Sequence, residues 1–175
     1  MTQAKTQTIY LDEIVQAHRD TRQMTFDLLE ALSAAQLSAP LPRPDLDTFG
    51  KHFQELGDTQ ESYALAINSG AIDFSTIRTK IDYELVGSKE RLRQFLEAKD
   101  RQMYDLLGGR SGDERVRWDD GEPITLVEHL SRMIRHELFH QGQFAAYAYL
   151  LKVPFPKSWA DTWVLPSKKG QLYSN

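Results

Sequence analysis

Four stretches of the chain carry apolar residues at three- and four-residue spacing, and almost nothing alternates with the period of two that a half-buried strand needs. In the first, Leu11, Ile14, Val15, His18, Thr25, Leu28, Leu29 and Leu32 share one face, which predicts a helix from about Tyr10 to Ser33. Prolines at 40, 42 and 44 then break the chain. The second stripe is Phe49, Phe53, Leu56, Gln60, Tyr63 and Ile67. Asp47 or Thr48 serves as N-cap, His52 lies beside the stripe, and Asn68-Ser69-Gly70 is the stop. The third runs through Leu92, Phe95, Leu96, Met103 and Leu106, from Ser88 to Gly108-Gly109. The fourth opens on a Thr125–Glu128 capping box and continues through Leu126, Leu130, Met133, His136 or Glu137, His140, Phe144, Tyr147 and Leu151, until Pro154 and Pro156 end it. Each helix has a single apolar stripe, so the chain is expected to be all-α, a four-helix bundle. Residues 71–87 make a long crossover between the second and third helices. Arg115 to Gly121 reads as a short extended piece closed by an Asp-Gly turn.

A length of 175 residues suits one domain over 1–175, large enough to bury its own core. The tail, 154–175, keeps Phe155, Trp159, Trp163 and Leu165, and is expected to cover one end of the bundle or a second copy in a two-fold homodimer. No apolar run approaches the ~20 residues of a membrane span, and the first residues lack the apolar core of a signal peptide, so a cytoplasmic protein is expected. A net charge of −4 argues against a broad nucleic-acid-binding face. The chain contains no cysteine, which excludes cysteine nucleophiles, disulfide exchange and thiolate metal sites. Any metal must sit on His, Asp, Glu or backbone oxygen, and any thiol in the chemistry must arrive as a separate small molecule.

His136 and His140 are the most informative pair. Four residues apart on a helix, they face the same way, and burying two unpartnered imidazoles would cost several times the ~1–3 kcal/mol of one unsatisfied polar group. A shared divalent cation satisfies both. His129 lies roughly 10 Å from His136 along the same helix, too far to share the ion, and is expected to be structural or a supporting residue. His18 and His52 both belong to other helices, and spacing alone does not choose between them as third ligand.

The segment His136-Glu137-Leu138-Phe139-His140 also spells the HExxH pattern of zinc peptidases. Such enzymes need a further ligand downstream, yet no Glu or His follows His140 and Gln143 stands where one subclass has glycine. Glu137 points about 100° away from the two histidines, which suits a bond to a neighbouring helix better than a catalytic base. A peptidase is the least supported reading.

The last helix, with Leu126-Val127-Glu128-His129-Leu130 followed by His136-Glu137-Leu138-Phe139-His140-Gln141-Gly142-Gln143, resembles the H-E-x-x-H-R-G-Q signature of the DinB/YfiT-like superfamily. Thr48-Phe49-Gly50-Lys51-His52-Phe53-Gln54-Glu55-Leu56 is similar to that family's other ligand-bearing helix. The resemblance implies a four-helix bundle with a divalent metal, commonly zinc or nickel, on His52, His136 and His140. Gln141 departs from the family's Arg, which as an exposed neighbour of the site would orient an anionic substrate. Gln143 and Tyr147, one and two turns past His140, face the same cavity and are candidate substrate-orienting or proton-handling groups. Glu55, one turn after His52, is a candidate to orient that ligand.

Three neutral imidazoles with an open position make a catalytic type of site. The expected function is a metal-dependent transferase or hydrolase acting on a small-molecule substrate, in which the ion activates a low-molecular-weight thiol or water. The resemblance to thiol-dependent members, with the absence of cysteine, favours the thiol. The alternative is a non-catalytic stress-response bundle whose metal is structural or incidental.

Overall fold

The computed structural model describes residues 2–77, 80–118, 121–163 and 165. Its long helices are α1 (Thr2–Ala31), α3 (Phe49–Ser69), α5 (Lys89–Leu107) and α6 (Leu126–Leu150), with one-turn helices α2 (Ala34–Leu37) and α4 (Tyr83–Val86) and a short α7 (Lys157–Trp163). The four long helices are those the stripes predict, and they form a helical bundle. α1 begins eight residues before Tyr10. Thr48 caps α3 by accepting from the Lys51 amide, and Ser88 caps α5 through the Arg91 amide.

The capping box at the start of α6 forms only in half. The Thr125 hydroxyl accepts from the Glu128 amide at 3.1 Å, whereas the Glu128 carboxylate turns to Arg135 at 2.7 Å and Arg132 at 3.2 Å. A two-stranded antiparallel ribbon leads into this helix, β1 (Arg115–Val116) against β2 (Ile124–Thr125). β1 is the extended piece expected there, while Asp119 and Asp120 of the predicted turn lie outside the described residues.

The core divides into two apolar clusters. One gathers Leu28, Leu29, Leu32, Phe49, Phe53, Leu92, Leu96, Phe144 and Trp159, and the other Leu11, Tyr63, Ile67, Met103, Leu107, Leu126, Leu130 and Met133. Along α1 and α6 the second cluster comes first; along α3 and α5 it comes last. α3 and α5 therefore run in the same sense, which is what the crossover accommodates. The crossover contains a 3₁₀ turn at Phe74–Ile77 and then α4, and it is pinned to α3 by Gln54, which accepts from the Asp82 amide and donates to the Lys80 carbonyl.

Two glycines on α3 let neighbours approach. A Cβ at Gly50 would lie 2.0 Å from the Val86 carbonyl oxygen of α4, and one at Gly57 would lie 2.2 Å from the Phe95 ring of α5. The described part of the tail packs on the bundle: Trp159 is fully buried, its indole donates to the Met24 carbonyl at 2.6 Å, and Phe155 stacks on it. Among the described residues no helix is long and apolar enough to cross a membrane.

Candidate metal centre

Between the two apolar clusters each long helix presents polar residues, and α6 presents two stripes of them. One stripe, His136 and His140, faces α3. The other, Glu137 and Gln141, is turned by about 100° and faces α1.

On the α3 side, Glu55 stands between the two histidines. Its Oε2 lies 2.7 Å from His140 Nε2, and its Oε1 lies 3.3 Å from His136 Nε2. One nitrogen or oxygen from each of the three falls within 4.8 Å of the others, the one such His/Asp/Glu group among the described residues. The Thr59 hydroxyl donates to Glu55 Oε1 at 3.1 Å and fixes the carboxylate. His140 is buried, but His136 is 26% exposed, so the expectation of two buried imidazoles holds for one. His136 sits at the edge of the bundle, where it opens the group to solvent.

His52 lies behind His140, with the two Nδ1 atoms 3.0 Å apart, and its ring packs on Phe144 and Tyr147. His52 is fully buried and its Nε2 has no hydrogen-bond partner. Burial pushes the His52 pKa down to about 3, with the neighbouring His140 and Arg43 further disfavouring a second charge there. Burial likewise lowers that of His140, against the pull of Glu55. Both rings are neutral at neutral pH, the form that ligates metals. Burial opposes ionisation of Glu55, yet His136 and His140 hold its carboxyl well below the usual range. An anionic carboxylate beside two imidazoles is a donor set that could hold a divalent metal ion.

Gln143 and Tyr147 are half-buried on this side of α6. The Tyr147 ring lies 5.5 Å from that of His52, and Gln143 Oε1 accepts from Arg43 Nη1 at 2.6 Å. Glu55 as a direct member, Thr59 and Arg43 went unseen as site residues in the sequence. A carboxylate one turn from a histidine is also an ordinary surface pattern, and Arg43 sits in a proline-rich linker with no helical register.

The α1 side is a separate network. Thr25 Oγ1 donates to Glu137 at 2.6 Å, and Arg22 lies 3.3 Å from the same carboxylate, so Glu137 bonds to a neighbouring helix and is no base for the metal group. Arg22 also donates to Asp100 at 3.2 Å and to Gln60 at 2.5 Å. His18 joins this cluster, its Nδ1 2.7 Å from the Tyr104 hydroxyl, and is absent from the group on the other stripe. Gln141 is buried and donates to the Thr21 carbonyl and the Thr25 hydroxyl. Position 141 thus faces α1, away from the place beside the site that the resemblance implies for the family's Arg. His129 is structural, accepting from the Trp118 indole and bonding the Tyr63 carbonyl, each at 3.0 Å.

Fold and site together define a helical bundle with a histidine–carboxylate cluster between two of its helices. The chain matches the model of the DinB superfamily over residues 14–144 and belongs to that superfamily. That span contains every member of the cluster. No curated protein matches the chain.

Proposed function

We propose that the protein is a metal-dependent enzyme, a transferase or hydrolase, whose divalent ion, zinc or nickel, is held by His136, His140 and Glu55, with His52 backing His140 from the second rank. The supporting observation is the convergence of Glu55 on both α6 histidines, one atom of each of the three lying within 4.8 Å of the others. In this donor set the ion supplies Lewis acidity, bringing a small thiol or water toward its anionic form near neutral pH. Partly exposed His136 leaves the open side toward solvent, where a small substrate enters. Thr59 holds the Glu55 carboxylate in place, and His52 orients His140 through its Nδ1. Gln143 and Tyr147 line the same side and orient the substrate or handle its proton. The absence of cysteine favours an exogenous thiol as nucleophile, in a cytoplasmic enzyme acting as a homodimer.

The test is metal analysis of the purified protein beside His140→Ala, followed by a panel of small thiols assayed with electrophilic substrates. One bound zinc or nickel per chain, lost in the variant together with thiol turnover, is expected. Bound metal without turnover of any thiol or hydrolysable substrate would favour the non-catalytic bundle. No metal in the native protein would overturn the centre itself.

A further inference from the structure

A positive side chain is an unexpected neighbour for a cation site. Arg43 lies in the linker between α2 and α3, where the chain folds on itself through the Leu41 amide to the Asp47 carbonyl at 2.7 Å and the Arg43 amide to the Leu41 carbonyl at 2.8 Å. Leu41 is buried, so this turn is anchored in the core. From it the half-buried Arg43 reaches Gln143 on the metal-facing side of α6, one turn past His140. The nearby acid Asp47 is engaged with Lys51 at 2.7 Å, and among the described residues Arg43 has no carboxylate partner.

A guanidinium held by one neutral amide in a half-buried position keeps most of its hydrogen-bonding capacity free, and its planar fork matches oxyanions. With a divalent ion bound, Glu55 would cancel one of its two charges, and Arg43 would add another. Such a site attracts anions and disfavours a second cation. We propose that Arg43, steadied by Gln143, is the oxyanion-recognising residue of the centre, so that the substrate or cosubstrate is a small molecule bearing a carboxylate or phosphate near its reacting group. This assigns Gln143 the role of positioning Arg43. The inference rests on the metal-centre reading, and its test separates the two.

Wild-type protein and Arg43→Gln are compared, metal-free and loaded with cobalt(II), at constant ionic strength. Metal affinity is measured first without oxyanion. Acetate and inorganic phosphate are then titrated separately, with chloride as control, following the cobalt visible spectrum and the thermal midpoint. Arg43→Gln is expected to bind metal several-fold more tightly, because a repelling charge is gone, and to bind the oxyanion at least tenfold more weakly. Arg43→Lys should retain part of the oxyanion affinity. The arm that saturates at lower concentration tells carboxylate from phosphate. Unchanged oxyanion affinity in Arg43→Gln, with metal binding intact, overturns the role of Arg43 and leaves the centre standing. Weaker metal binding in that variant makes Arg43 a structural support and also overturns it. If neither protein takes up metal, the centre reading fails and the metal-free titration decides: a thermal shift by oxyanion that vanishes in Arg43→Gln upholds Arg43, and equal shifts or none overturn it.

Discussion

The two faces of α6 hold nearly the same residue types in nearly the same surroundings, and they do opposite things. Toward α3 stand His52, Glu55, His136 and His140; toward α1 and α5 stand His18, Arg22, Asp100 and Glu137. The difference is what occupies the middle. On the α1 side Arg22 is itself the central cation, touching Asp100, Gln60 and Glu137, and Thr25 supplies Glu137 with a further bond. On the α3 side, among the described residues, the donors converge with no basic side chain between them, and the Arg43 guanidinium reaches Gln143 instead of Glu55. A cluster of histidines and carboxylates in this bundle is thus free to take a metal ion where no basic side chain already neutralises it.

The sharpest way to break this comparison is to remove the built-in cation. Arg22→Met leaves Asp100 and Glu137 buried without their counter-charge, and a loss of about 3–5 kcal/mol in urea denaturation is expected, because breaking a buried pair exposes one partner's full desolvation penalty. Metal affinity should not change. Should Arg22→Met lose its metal while remaining folded, the two clusters are one system and the contrast is false.

Next in size is His140→Ala, which takes away a proposed ligand that also contacts Glu55 and His52. Removing even an outer-shell partner commonly weakens metal binding about 10–100-fold, so loss of this ligand is expected to exceed the upper figure. His18→Ala should leave metal affinity at the wild-type value. His52→Ala falls between, at about 10–100-fold. Calorimetric titration with zinc ranks the four proteins. An unaltered affinity in His52→Ala would remove His52 from the centre, and a loss in His18→Ala would bring His18 into it.

The helices were legible because their stripes are long and regular, and the caps at Thr48, Ser88 and Thr125 lie where the sequence places them. The start of α1 was not, because polar residues 2–9 carry no period, and β2 is too short to show alternation. In the site, His136 and His140 were legible from spacing. Periodicity could not tell which face of α6 meets which helix: the stripe at 136 and 140 and the stripe at 137 and 141 are both valid inward faces when partners stand on two sides. That is why the sequence does not say that position 141 faces α1. Glu55 was seen only as an aid to His52, since nothing in a sequence says that α3 and α6 approach closely enough for its carboxylate to meet two imidazoles.

The smallest effect tests whether Arg22 really commands its cluster. Burial, with the charges of Arg22 and Arg19 adding to it, lowers the His18 pKa well below 6.5, although His18 Nε2 lies 3.7 Å from Glu137 and 4.0 Å from Asp100. His18 is therefore neutral in the fold, and its Tyr104 bond is that of a neutral ring. An imidazole that protonates near pH 6.5 when unfolded but not when folded contributes stability that is lost as pH falls below that value. Replacing it by His18→Gln in the metal-free protein should flatten the dependence of unfolding free energy on pH between about 6.5 and 5 by up to about 1.4 kcal/mol per pH unit. Glu137 works in the other direction. Burial raises its pKa against Arg22 and Thr25, so its share of stability is lost as pH rises above the unfolded carboxyl range. That term is present in both proteins and leaves the sign of the difference intact. Equal slopes would mean that the carboxylates outweigh Arg22 and hold His18 as a cation, which would make the α1 face an ion-pair cluster with two positive centres in place of one.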